Sequence, residues 1–274
     1  MSNTLDLARQ KLTLALDVPD LNAAQEIAGL VAPHVGRIKL GTVILEANGT
    51  PQVIEAMHRI GVLNVFVDLK WHNTPDVVAK TVASVTRMNV GMINVHALGG
   101  VKMMRAAKDA AMQTWEEAGR NVRCPLVIAV TILTSQDYDD LAEIGVVPLF
   151  EHNGPDAIEI KKHKMEALVV SLARAAQKAG LDGAVASVHE ALPIRNACGP
   201  KFRIVTPGIR PAGADKTDQK RLDTPANAIK AESDELVVGS PIYKDPNPAE
   251  AAERIVREIA EALGTHCGCE KTPA

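Results

Sequence analysis

The feature that most constrains this chain is an alternation of short apolar stretches with longer segments of helical periodicity, repeated eight times. The apolar stretches read as strands over residues 12–17, 37–40, 64–68, 92–96, 126–130, 183–187, 202–205 and 236–238. Helical patterns cover 21–32, 51–60, the stretch to about 88, 101 to about 118, and 166–178, and a last amphipathic helix starts at Pro248. Proline is tolerated in that first turn because its missing N–H has no intrahelical partner there. Strand-then-helix units joined by short links imply parallel strands and right-handed crossovers. Eight of them close into a barrel, so the expected fold class is α/β, a single (β/α)8 barrel of the TIM type. A doubly wound open sheet usually has fewer strands and a G-x-G-x-x-G after the first, which is absent here. Aromatic residues are only 3% of a chain that is 46% hydrophobic. The core is therefore Val, Ile, Leu, Ala and Met, which suits buried parallel strands under Ala-rich helices.

One stretch breaks the rhythm. Residues 138–165 are long, mixed and charged, with Pro148, Asn153-Gly154 and the run Lys161-Lys162-His163-Lys164. They read as an irregular insertion, part helix and part loop, and the basic run as a solvated helix face. The domain expectation is one barrel over residues 1–264 with this insertion, followed by a polar tail over 265–274. A net charge of −3 and a near-neutral pI give no electrostatic case for nucleic acid or an anionic membrane. No apolar run has membrane-spanning length, and the polar N-terminus has no signal-peptide pattern. Four cysteines in 274 residues make no disulfide framework; Cys124 and Cys198 read as inert thiols. Cys267 and Cys269 form a C-x-C that reads as an incidental part of the tail. A reducing cytoplasm is the expected compartment.

In a parallel barrel, catalytic groups gather at the C-terminal ends of the strands. Those ends carry Asp17, Lys39, Asp68 with Lys70, His96, Thr134 with Ser135, Ser187, Pro207 to Arg210, and Gly239-Ser240. Asp68 and Lys70 are two apart, so on an extended strand they point the same way. Two lysines and two aspartates on the early strands make one alternating charge cluster. Such a network sets pKa values by mutual charge and lets a lysine donate a proton. The later strands look built for an anion. T-P-G-I-R (206–210) combines a glycine turn with an arginine, Gln219 follows, and V-G-S-P-I (238–242) ends the eighth strand. Phosphate sites in these barrels lie after strands seven and eight. No metal is expected, since no second carboxylate or His pair stands at ligand spacing. His96 reads as a strand-end histidine bonded to its neighbours.

The pieces L-A-L-D (14–17), I-K-L-G (38–41), D-L-K-W-H (68–72), H-A-L-G-G (96–100), L-T-S (133–135), T-P-G-I-R-P (206–211), D-Q-K-R (218–221) and V-V-G-S-P-I (237–242) occur in order at these strand ends. With them the chain resembles the orotidine 5′-phosphate decarboxylase family from the first strand to the last helix. The resemblance implies an eight-stranded barrel, a homodimer with shared active sites, a nucleotide substrate and no cofactor. It assigns Asp17 and Lys39 to the ribose hydroxyls, Asp68 to the substrate carboxylate and Lys70 to protonation of C6. It gives the pyrimidine edge to Ser135 with Thr134 beside it, and the phosphate to Arg210, Gln219, Gly239 and Ser240. Two positions depart from the family. Asn73 stands where D-x-K-x-x-D ends in an aspartate lent to the partner subunit, and Ser240 replaces a phosphate-gripping arginine. Beside orotidylate decarboxylation, two alternatives stay open: action on another nucleotide or sugar phosphate, and nucleotide binding without catalysis.

Overall fold

The computed structural model describes residues 2–152, 154–211 and 223–267. In chain order the elements are α1 (Ser2–Lys11), β1 (Leu12–Leu16), α2 (Leu21–Val31), β2 (Arg37–Gly41), α3 (Thr42–Asn48), α4 (Thr50–Arg59), β3 (Val65–Trp71) and α5 (Pro75–Thr86). Then come β4 (Met92–His96), α6 (Gly100–Glu117), β5 (Leu126–Val130), α7 (Tyr138–Glu143), α8 (Ala157–Lys178), β6 (Gly183–Val185) and α9 (Val188–Cys198). The rest are β7 (Arg203–Thr206), α10 (Pro225–Lys230), β8 (Glu235–Val238), α11 (Ser240–Tyr243) and α12 (Pro248–Cys267). The strands pair in sequence order, all parallel, and β8 returns to β1, so the barrel is closed. The (β/α)8 expectation holds.

Strand residues alternate between two environments. Leu14, Leu16, Ile38, Leu40, Val65 and Val67 face the helices and join one continuous buried shell. Ala15, Phe66, Met92, Ile128, Val205 and Val237 face inward and form a second, smaller cluster inside the barrel. Ala15, Ile128, Val205 and Val237 lie one or two positions before the ends of their strands, and Phe66 and Met92 lie at the starts of theirs, with Asp68 and Asn94 two residues further on. The apolar plug therefore becomes a floor, and the next inward residues stand above it at the rim. At the opposite end, Glu235 is buried at the start of β8, 2.7 Å from the Arg37 guanidinium, and accepts a hydrogen bond from the Thr13 hydroxyl. Polar groups that satisfy one another at that face serve stability.

Several elements depart from the sequence-based expectation. The polar first residues form α1, whose Ala8 is fully buried; the helix packs on α12. One short apolar face is enough, because α12 supplies the other half of the contact. Helix α8 begins at Ala157, nine residues before the helix read from the pattern, and takes in the basic run. Ile158 there is exposed while Lys161 pairs with Asp139, so this turn lacks the buried stripe that periodicity detects. Strand β6 stops at Val185, because Ser187 is the N-cap of α9 in a capping box with Glu190. Ser187 is thus a structural cap. Helix α12 runs to Cys267, and Cys269 lies outside the described residues. Burial pushes the Cys124 and Cys198 thiols up, which keeps them protonated.

Candidate active site

The first three strands deliver four charged side chains to one rim. Asp17 directly follows β1, Lys39 lies within β2, and Asp68 and Lys70 lie within β3. The Lys39 ammonium is 3.3 Å from Asp17 Oδ1 and 3.0 Å from Asp68 Oδ2, and the Lys70 ammonium is 2.8 Å from Asp68 Oδ1. The charges form one alternating chain, Asp17–Lys39–Asp68–Lys70. Gly41 is part of its geometry, because a Cβ there would stand 3.0 Å from Asp17 Oδ1 and 3.4 Å from the Lys39 ammonium.

Asp68 and Lys70 do not meet by simple strand alternation. Lys70 has φ +49°, in the left-handed region that non-glycine residues rarely adopt, and β3 shifts register against β4 between Val67 and Trp71. The kink is held by Asn94, a buried residue of β4. Its Oδ1 accepts from the Lys70 backbone N–H at 2.8 Å, and its Nδ2 donates to Asp68 Oδ1 at 2.6 Å. Strain of this kind persists only where the surroundings over-determine it. Sequence reasoning passed over Asn94; its one signal is a lone amide in the otherwise apolar run M-I-N-V before His96.

Asn94→Ala is expected to lower kcat roughly a hundredfold with little change in KM. A side chain that aims Lys70 acts through geometry, and an error of about 1 Å has that cost. Steady-state kinetics beside a thermal melt checks it; an unchanged kcat would mean the kink stands without Asn94.

Burial works against the charge of Asp68, but Lys39, then Lys70, then the hydrogen bonds outweigh it and hold the carboxyl down from 3.8 to about 2. Burial also works against the Lys39 ammonium, and Asp68 and Asp17 outweigh it, so its pKa is raised. Both groups stay ionised at neutral pH. For a carboxylate whose folded value is depressed, the stability it contributes is present above the unfolded value and lost as pH falls through the folded one. Asp68 is therefore expected to contribute on the order of 2 kcal/mol that disappears between pH 3.8 and about 2. Denaturant unfolding of the protein and of Asp68→Asn across that window checks this. The gap between them should narrow as pH falls, and a constant gap would refute it.

Above the apolar floor lies a cavity of about 450 Å³. Asp17, Lys39, Asp68, Lys70, Thr134, Pro207, Arg210, Gly239 and Ser240 all line it, so most sequence-read site residues share one chamber. Asn94, Tyr243 and Lys244 line it too, and pattern reading had not singled them out. Gly208 has φ +76°, a turn that favours glycine, and Asp223 pairs across it through Asp223 N to Gly208 O and Arg210 N to Asp223 O. Arg210 then reaches Ser240, with Nη2 3.3 Å from Oγ. Burial and the nearby Asp17 carboxylate push the Tyr243 phenol up, so it remains a neutral donor.

Two sequence-read site residues of the described chain lie apart from this cavity. Ser135 is exposed, outside the cavity wall. Asn73 is exposed as well, with its Oδ1 accepting from Thr74 N at the start of α5. Gln219 lies outside the described residues. His96 accepts from Leu98 N and stacks on His72 with ring centroids 5.6 Å apart, as a strand-end histidine bonded to its neighbours. Among the described residues no group of three or more His, Cys, Asp or Glu side chains clusters to hold a metal ion. No helix among them is long and apolar enough to cross a membrane.

A closed (β/α)8 barrel whose rim sets a lysine–carboxylate chain over an apolar floor, with an arginine at the β7–β8 side, defines an acid–base site for a small anionic molecule. Comparison with known proteins gives the family. The model of the orotidine 5′-phosphate decarboxylase / HUMPS family matches residues 10–255. The orotidine 5′-phosphate decarboxylase of Geotalea daltonii is 44% identical over 259 residues, covering 93% of this chain and 98% of its own. That of Moorella thermoacetica is 42% identical, covering 92% and 93%. The crystal structure of orotidine 5′-phosphate decarboxylase from Lactobacillus acidophilus superposes with a TM-score of 0.74 at 30% identity, over 90% of this chain and 98% of that one. This chain belongs to the orotidine 5′-phosphate decarboxylase / HUMPS family.

Proposed function

We propose that the protein decarboxylates orotidine 5′-monophosphate to uridine 5′-monophosphate in pyrimidine biosynthesis, without a cofactor, as a cytoplasmic homodimer. The observation that carries this is the Asp17–Lys39–Asp68–Lys70 chain within hydrogen-bonding distance inside one cavity. The C6–carboxylate bond breaks, carbon dioxide leaves, and the electron pair stays on C6. Lys70 gives its proton to that carbon. Its ammonium suits the task because it is 39% exposed, against 10% for Lys39, and so faces the open part of the chamber. Asp68 keeps Lys70 aimed and meets the departing carboxylate, so its repulsion is relieved as the charge leaves. A fixed arrangement of charges costs no reorganisation in the transition state.

Asp17 and Lys39 hold the ribose hydroxyls, Thr134 and Ser135 the base, and Arg210, Gln219, Gly239 and Ser240 the phosphate. Asn73 supports the dimer: it is exposed and outside its own chain's cavity, as a residue lent to a partner's site would be. A monomer by sedimentation would remove that part. A second reading, action on another nucleotide or sugar phosphate, is favoured by Asn73 and Ser240, each of which removes a charge from the family pattern. Ultraviolet absorbance of orotidine 5′-monophosphate mixed with purified protein decides between them. Steady conversion is expected; none at high enzyme concentration would leave the second reading.

A further inference from the structure

We infer that Lys244, on the same cavity wall as Arg210 and Ser240, supplies a further cation to the phosphate of the proposed substrate. The inference rests on the proposed nucleotide substrate and adds a residue to its site.

The Asp17–Lys39–Asp68–Lys70 chain is balanced within itself, with two carboxylates against two ammonium groups and each ammonium on a carboxylate. Among the described residues of the wall, the other charged side chains are Arg210 and Lys244, both on the β7–β8 side. Lys244 sits one helical turn beyond Ser240, its backbone N–H bonded to Ser240 O at 3.1 Å, so both residues serve the same wall. Its ammonium makes no ion pair or hydrogen bond among the described residues, in contrast to Lys39 and Lys70. Ser240 is short and only accepts from Arg210, leaving the phosphate without a cation from that position. Lysine serves as a point charge on a flexible stem, and from an exposed position it closes on a dianion without first being desolvated.

The test is calorimetric binding of uridine 5′-monophosphate and of uridine to the protein and three variants. Lys244→Ala is expected to weaken the nucleotide roughly tenfold, the scale of one charge-assisted hydrogen bond, and to leave uridine unchanged. Lys244→Arg should retain the affinity, and adding Ser240→Arg to Lys244→Ala should restore it from the same wall. Unchanged nucleotide affinity in Lys244→Ala, or an equal loss for uridine, overturns the inference. Ribose 5-phosphate against ribose separates it from the reaction. If orotidine 5′-monophosphate is not turned over but ribose 5-phosphate still loses affinity in Lys244→Ala, the reaction falls and Lys244 stands. Turnover with unaltered phosphate binding is the reverse. Failure of every phosphomonoester to bind the unmodified protein also overturns the inference.

Discussion

Lys70→Ala is expected to take decarboxylation of orotidine 5′-monophosphate below detection while the barrel stays folded. Removing a positioned general acid alone costs about a hundredfold to ten-thousandfold. Here the same ammonium also balances Asp68, so the loss belongs at or beyond the upper end. Lys39 is no substitute, since it is buried and held between Asp17 and Asp68. The fold has little reason to fail. Asp68 keeps Lys39 at 3.0 Å and Asn94 at 2.6 Å, and alanine inherits a backbone conformation that lysine already occupies. Ultraviolet assay of turnover, with circular dichroism as the control, checks both halves. Appreciable turnover in a folded Lys70→Ala protein would remove Lys70 from the chemistry.

The second large effect concerns Asn73→Asp, for which kcat with orotidine 5′-monophosphate should rise, on the order of tenfold or more. The charge chain holds two carboxylates and two ammonium groups. In the proposed homodimer, the carboxylate that Asn73→Asp lends to the partner's site adds repulsion against the substrate's own carboxylate, and departure of carbon dioxide relieves that repulsion. A barrier lowered by about 1.4 kcal/mol already gives tenfold. The local fold tolerates the change. Asn73 Oδ1 accepts from Thr74 N just before α5, a role aspartate fills equally, and negative charge is favourable near a helix N-terminus. Side-by-side kcat values for the two proteins decide it. If the native substrate is a different phosphate, the substitution should raise orotidylate turnover and depress the native reaction. A slower Asn73→Asp enzyme would mean that asparagine belongs to a reorganised site.

The sequence by itself determined the barrel and the rim. Apolar runs of strand length, separated by helical periodicity, admit one parallel closed sheet, and the charged residue ending a run must surface at its C-terminal edge. Asp17, Lys39, Asp68 and Lys70 were legible at that edge from strand position, and Arg210 and Ser240 from the turns that follow the seventh and eighth strands. What tertiary structure alone decided depends on contacts between residues far apart in the chain. Asn94 is 26 residues from Asp68 and 24 from the Lys70 N–H, and its role exists only once β4 lies beside β3. The left-handed backbone of Lys70 follows from that same contact, since no local preference favours it. Helix α1 needs α12 to bury Ala8, and the first turns of α8 are held by Asp139 rather than by an apolar stripe. Lys244 follows no recognisable motif. It became part of the site because closing β8 onto β1 turns the residues after β8 over the cavity, an outcome of long-range pairing that no local pattern encodes.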